Sequence, residues 1–285
     1  MDEKIFDGEF FKNLNALKLN MNIPLDKGMS GGRKSRAKGS SVEFSDFREY
    51  MYGDDIRRID WNAYGRMDRF FVKLFMEEKE GVFRIFVDGS KSMDFGLLNK
   101  SIHGRRIAAA AAYVVLNHLD RVYLGTMGSG GILMSKGMTG RQSFHKVMDQ
   151  LENMKFEGIV DLKKVIKSSA FPSRGMTIVI SDFYESAQDL EEVVKYLAYK
   201  KQEVVLIQVL SREELSPRGE GTLNLIDSET SKDLKVTMTY STLNQYEKTL
   251  SGFLDQIRVI CNKYGAKHIL APTDKPMGGV LYELC

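Results

Sequence analysis

The sequence predicts an α/β fold, a doubly wound and mostly parallel sheet with helices on both faces. From residue 82 onward, short apolar runs alternate with longer segments of helical periodicity. The runs TIVIS (177–181) and VVLIQVL (204–210) are almost continuously apolar, which is typical of parallel strands buried on both faces. The chain has 285 residues, of which 43% are hydrophobic and 28% charged, so it can bury a substantial core.

Each element follows from local sequence. Residues 108–112 are all alanine, which favours the helix around them, while Asp161 and Ser241 are suitable N-caps and Gly265 a suitable helix end. The predicted strands are 82–88, 122–127, 131–135, 176–182, 203–210 and 267–271. The predicted helices are 9–19, 101–119, 142–154, 162–168, 187–199 and 242–264.

Two segments predict β-hairpins. The sequence GSGG at 128–131 joins two strand patterns, and residues 221–239 form two strand patterns around a polar turn. We therefore expect a hairpin insertion at 219–240 within a main domain of residues 79–285. Residues 1–78 are then an N-terminal extension with a basic loop.

Composition excludes several classes of protein. The net charge of +3, from 41 basic and 38 acidic residues, is too small to indicate nucleic-acid binding by itself. The two cysteines, Cys261 and Cys285, give neither a disulfide framework nor a zinc spacing. The longest apolar run, 107–116, is shorter than a membrane span, and the acidic start of the chain is not a signal sequence. We expect a cytoplasmic protein without a membrane span.

A set of oxygen atoms follows the strand ends. Asp88 ends the first predicted strand and is followed by Ser90 and Ser92, while Asp182 ends the strand IVISD. Because the carboxyl ends of parallel strands meet at one edge of a sheet, we expect these four side chains to converge there. Carboxylates and hydroxyls suit a hard divalent cation, and Mg²⁺ is the first choice. The alternative is that Asp88, Ser90 and Ser92 only hydrogen-bond their loop and cap the next helix.

Residues 43–80 are unusually dense in charged and aromatic side chains. Arg48, Tyr50, Arg57 and Trp61 are of the types that dominate binding interfaces, so they are the predicted partner-binding residues. The alternative is a layer of ion pairs and rings that satisfies itself by packing.

The rim motif resembles a known metal site. DGSKS (88–92) has the DxSxS form of the metal-ion-dependent adhesion site of von Willebrand factor A-type domains, and Asp182 matches that family's distal aspartate. The resemblance implies metal ligation by Asp88, Ser90, Ser92 and Asp182. The family's threonine ligand is replaced by Val160, which has no oxygen to offer, so the implied site is degenerate.

The upstream block makes the resemblance more specific. The pattern REYxxGDxxRxIDW (48–61) is similar to the hallmark of prokaryotic A-type proteins catalogued as the fifty-eighth domain of unknown function. The resemblance covers residues 10–275. It implies a non-enzymatic protein-binding module that works with a MoxR-type AAA+ ATPase, or another protein partner, in the assembly or maturation of other proteins.

Two other functions compete with protein binding. A metal-dependent phosphohydrolase could use Asp88 as a nucleophile, but Ser90 stands where the second aspartate of a DxD motif would be. Nucleic-acid binding could use the basic segment 28–41, but that segment has no interleaved aromatic residues. Phosphatase activity and a steep salt dependence would reveal these alternatives.

Overall fold

The computed structural model describes residues 4–20, 43–76, 80–217, 221–226 and 233–284; the basic segment 28–41 lies outside them. The helices there are α1 (Gly8–Asn20), α2 (Trp61–Met67), α3 (Lys100–Asn117), α4 (Phe144–Glu152), α5 (Leu162–Ser168), α6 (Ala187–Tyr199), α7 (Arg212–Leu215), α8 (Tyr240–Tyr264) and α9 (Met277–Leu284). The strands are β1 (Glu43–Glu49), β2 (Phe71–Met76), β3 (Val82–Asp88), β4 (Arg121–Gly128), β5 (Gly131–Met134), β6 (Gly175–Ser181), β7 (Gln202–Leu210), β8 (Gly221–Ile226), β9 (Asp233–Met238) and β10 (Lys267–Pro272).

The chain divides into two compact units. The first unit joins Met1–Lys27 to Gly81–Cys285, and the second unit is Gly28–Glu80. Residues 4–20 belong to the first unit because α1 packs against α3 and α9, and because the Arg106 guanidinium donates to Asp7 Oδ2 at 2.8 Å. The sequence predicts a boundary between residues 78 and 79, with α1 in the N-terminal extension. That division into domains stays a prediction.

A six-stranded sheet forms the centre of the first unit. Its strand order is β10-β7-β6-β3-β4-β5, and every neighbouring pair is parallel except β4 and β5. This confirms the predicted doubly wound fold and the predicted GSGG hairpin. In the β3–β6 register Val87 pairs with Ile180, so Asp88 and Ser181 reach the carboxyl edge together.

Helices cover both faces of this sheet. Ile85 and Val87 of β3 pack into one apolar cluster with α1, α3, α4 and α9, whereas Phe86 packs into another with α5, α6 and α8. The alternation follows from the two-residue repeat of a strand. The five alanines 108–112 of α3 are fully buried, and their small side chains let this helix lie close to the sheet.

The predicted elements of the first unit agree with the structure to within about two residues at most ends. The predicted hairpin at 221–239 is confirmed as the antiparallel pair β8–β9. Two helices of the first unit were not predicted, and neither was α2 of the second unit. Helix α7 has only four residues, and α9 contains the helix-breaking pair Gly278-Gly279 but is held by burial of Val280 and Leu281.

The second unit is built on the antiparallel pair β1–β2. A 3₁₀ turn at Ile56–Arg58 begins at Asp55, and α2 begins at Asp60, whose carboxylate accepts from the Asn62 and Ala63 amides. These acidic residues therefore satisfy helix ends that would otherwise lack acceptors. No helix in the parts of the chain that the structure describes combines the length and the apolar character of a membrane span.

We expect His103 of α3, which is largely buried, to make the protein less stable at low pH. Burial lowers the pKa of His103 to about 4, with a further contribution from the charge of Arg106, while Asp274 acts in the opposite direction. The unfolded chain therefore binds the proton more tightly, and the free energy of unfolding falls as the pH drops below about 6.5. Between pH 7 and pH 5, the free energy of unfolding measured in urea should fall by about 2 kcal/mol more for the wild type than for His103→Gln. Equal losses in the two proteins would contradict the assignment.

Candidate functional site

Asp88 lies at the carboxyl edge of the sheet with both carboxylate oxygens engaged. Its Oδ1 accepts from the Ser90 amide at 2.8 Å, and its Oδ2 accepts from the Ser181 hydroxyl at 2.6 Å. The Ser181 Oγ in turn accepts from the Phe183 amide at 3.0 Å. The Asp88 residue is only 3% exposed, so these bonds replace water at a buried acidic group.

The two serines of the motif contact each other. The Oγ atoms of Ser90 and Ser92 are 3.0 Å apart, which places the hydroxyls side by side as the alternate spacing predicted. Ser90 precedes the 3₁₀ turn Lys91–Met93 without a capping side-chain bond, and α3 is capped by Asn99 instead. The alternative prediction therefore holds for the Asp88 bond to its loop but not for capping of the next helix.

Asp182 is paired with a buried lysine. Lys100, the first residue of α3, donates from Nζ to Asp182 Oδ2 at 2.9 Å and to Glu214 Oε1 at 2.7 Å. The side chains of Lys100 and Asp182 are 1% and 3% exposed. The Tyr184 hydroxyl also donates to Glu214 Oε1, at 3.2 Å. We call Lys100, Asp182 and Glu214 the rim triad.

Electrostatics link the rim triad to the motif. Burial, followed by the negative charge of Asp182, raises the pKa of Asp88, and the bonds from Ser181 and Ser90 lower it; together they bring the pKa to about 6. Asp182 is therefore close enough for its charge to be felt at Asp88. The convergence predicted from the strand ends is present, but only Asp182 has a cation at hydrogen-bond distance.

The loop at 155–160 fits tightly against the motif. The Gly89 carbonyl accepts from the Glu157 amide at 3.0 Å, and the Gly158 carbonyl accepts from the Lys91 amide at 2.9 Å. Val160, in the position of the expected threonine, is buried in the apolar cluster of the α5 and α6 face. Asp161 accepts from the Lys164 amide at 2.8 Å and caps α5, as predicted. Neither Val160 nor Asp161 therefore supplies an oxygen in place of the expected threonine ligand.

These contacts do not fit a divalent cation held by the four predicted ligands. Asp182 binds an ammonium, and both oxygens of Asp88 already accept hydrogen bonds. Val160 has no side-chain oxygen that could bind a metal. Among the residues that the structure describes, no group of three or more His, Cys, Asp or Glu side chains could hold a metal ion. The expectation of Mg²⁺ stays a prediction, and the observed hydrogen bonds weigh against it.

The predicted partner-binding residues lie in the second unit. Arg48 pairs with Asp54 at 2.9 Å, and Tyr50 packs edge-on against Phe70 with ring centroids 6.3 Å apart. Trp61 is 61% exposed, and Arg57 is also exposed. Arg48 and Tyr50 therefore support the local structure, whereas Arg57 and Trp61 face solvent. Their role in binding stays a prediction.

The sequence matches the family model described as Protein of unknown function DUF58 over residues 46–251. This match covers more than half of the chain and confirms the family resemblance drawn from residues 48–61. A relative, "Uncharacterized protein Rv1480" of Mycobacterium tuberculosis H37Rv, is 29% identical over 232 residues, which are 79% of this chain and 73% of that protein.

Two solved structures resemble the fold loosely. The conserved hypothetical protein BatB from Bacteroides thetaiotaomicron is 15% identical, with a TM-score of 0.47 over 72% of this chain and 97% of that one. The SpRpn10 VWA domain is 10% identical, with a TM-score of 0.41 over 71% of this chain and 94% of that one.

Gly89 tests how closely the motif loop must fit. A Cβ atom added there would lie 2.3 Å from the Met127 carbonyl oxygen and 2.8 Å from the Lys155 carbonyl oxygen, so backbone must move. We expect Gly89→Ala to lower the free energy of unfolding in urea by about 3 kcal/mol. Gly128→Ala is the matched control because no atom lies within 4 Å of its added Cβ, and its effect should stay within about 0.5 kcal/mol. Similar losses for both variants would refute this account of the loop.

Proposed function

This chain belongs to the family described as Protein of unknown function DUF58, and from that premise we propose that it is a non-enzymatic protein-binding module. The observation that carries the proposal is a set of connected aromatic rings in the second unit. Tyr64 and Phe70 stack at 4.5 Å, and Trp61 packs edge-on against both at 6.3 Å. Tyr50 also packs edge-on against Phe70. We call these four rings the ring platform.

The ring platform has the composition of a binding surface. Trp61 and Phe70 are 61% and 43% exposed, and connected apolar rings in contact with water are a feature of interaction sites. Met51 and Tyr52, which follow Tyr50 in sequence, are also exposed. Tryptophan and tyrosine supply large contact areas at low entropic cost, which supports recognition of a protein partner here.

Two arginines of the same unit add exposed positive charge. Within the described residues neither Arg57 nor Arg66 pairs with a carboxylate, whereas Arg48 and Arg69 pair with Asp54 and Glu49. Guanidinium groups without a partner favour an acidic surface on the protein that binds.

The resemblance drawn from the sequence implies a MoxR-type AAA+ ATPase as that partner. We propose such an ATPase as the binding partner and the cytoplasm as the compartment, since the composition offers no disulfide framework. The module would then take part in the assembly or maturation of a third protein.

The absence of catalysis is also part of the proposal. As the nucleophile of a phosphohydrolase, Asp88 would need a free oxygen that reaches the substrate. Its two oxygens accept bonds from Ser90 and Ser181, and the residue is buried, which supports a positioning role. A phosphatase assay with Mg²⁺ or Mn²⁺ should show no activity that disappears in Asp88→Asn, and such an activity would overturn this part of the proposal.

Binding to a MoxR-type ATPase from the same genome is the direct test. Trp61→Ala and Arg57→Ala should each weaken binding by about tenfold or more in a titration of purified proteins, because each removes an exposed hot-spot side chain. Tyr199→Ala is the matched control, since Tyr199 is a 79% exposed aromatic of the first unit and its loss should leave affinity unchanged.

Thermal melts of the same variants separate binding from folding. Trp61→Ala removes ring contacts to Tyr64 and Phe70, so its melting temperature must be compared with that of Arg57→Ala. Loss of binding in Arg57→Ala with an unchanged melting temperature supports the proposal. Wild-type affinity in both variants, or no binding by the wild type, would count against it.

A further inference from the structure

We propose that the Lys100 ammonium is the resident cation of the rim site and that the site functions without a divalent metal. The Lys100 Nζ lies 2.9 Å from Asp182 Oδ2 and 2.7 Å from Glu214 Oε1. It also lies 5.3 Å from the centroid of the Tyr184 ring and 5.8 Å from that of Phe95. Two carboxylates and two ring faces thus surround a single positive charge.

The position of Lys100 in α3 is electrostatically unfavourable without these partners. It is the first residue of the helix, where the macrodipole repels cations. Its side chain is also 1% exposed, and an ammonium is rarely buried unless it is paired. Asp182 and Glu214 therefore stabilise the Lys100 ammonium in a position where both the helix dipole and the burial disfavour a positive charge.

The ammonium takes the place that a metal would need at Asp182. A lysine ammonium is a compact point charge with three donors and no acceptor, so it satisfies carboxylate oxygens much as a small cation does. A divalent ion bound to Asp182 would have to share it with Lys100 at short distance, and the two positive charges would repel each other. The burial of Val160 in the apolar cluster removes a further ligand from such an ion.

Glu214 is a second anionic partner of Lys100, and it is not one of the four predicted metal ligands. Its Oε2 accepts from the Ser211 amide at 2.6 Å, and the Ser211 Oγ accepts from the Glu214 amide at 3.2 Å. This capping box holds the Glu214 carboxylate in place on α7, independently of its contact with Lys100. The chain thus supplies both the cation and a second anionic ligand.

The test measures Mn²⁺ binding by the full chain, using the paramagnetic signal of the free ion and the shift in melting temperature. The wild type should show no saturable Mn²⁺ binding that depends on Ser90 and Ser92. Lys100→Met removes the charge at similar length and should lower the melting temperature by about 10 °C, because it leaves two carboxylates at the rim without their cation. It should also gain Mn²⁺ binding, seen as a rise of about 4 °C with the metal present.

Lys91→Met is the matched control, since Lys91 pairs with Asp94 on the surface, and neither its stability nor its Mn²⁺ response should change. If Lys100→Met fails to fold, Lys100→Met combined with Asp182→Asn removes both buried charges and should recover about half of the lost stability. Saturable Mn²⁺ binding by the wild type that is lost in Ser90→Ala/Ser92→Ala would overturn the proposal. A folded Lys100→Met that gains no Mn²⁺ binding, or is as stable as Lys91→Met, would overturn it as well.

Discussion

The buried ion pair of Lys100 and Asp182 is the interaction on which the arrangement of the sheet edge depends. A charge with 1% side-chain exposure is tolerated only when partners replace its hydration. Its partners Asp182 and Glu214 are 82 and 114 residues away in sequence, so the pair fixes the start of α3 against the end of β6 and against α7. Removing Lys100 leaves the buried Asp182 carboxylate without its cation, whereas water could compensate an exposed pair.

The fold was largely predictable because its signals are local. Buried parallel strands such as β6 and β7 are short apolar runs, and α3 shows an alanine-rich helical pattern, so both are visible within a window of a few residues. Helix α9 was not predictable in this way, because its Gly278-Gly279 pair opposes a helix and the burial of Val280 and Leu281, which helps to hold it, depends on packing against α3 and β10.

The candidate site was predictable in its placement but not in the ion pair at its edge. Parallel topology brings Asp88 and Asp182 to one edge, and the alternate spacing of Ser90 and Ser92 brings their hydroxyls together. Lys100 gave no comparable signal, because a lysine in the polar stretch NKSIHG is typical of a solvated helix start. Its pairing depends on contacts across distant parts of the chain, and these exist only once the sheet has formed.

The sheet edge and the proposed ring platform differ in how fully their polar groups are satisfied within the chain. At the sheet edge, Asp88, Asp182 and Lys100 satisfy one another or nearby groups of the same chain, so a partner would have to break existing bonds before forming new ones. In the second unit, Trp61 and Arg57 face water and lose only solvent on binding. Binding through the proposed ring platform would therefore cost less than binding at the sheet edge.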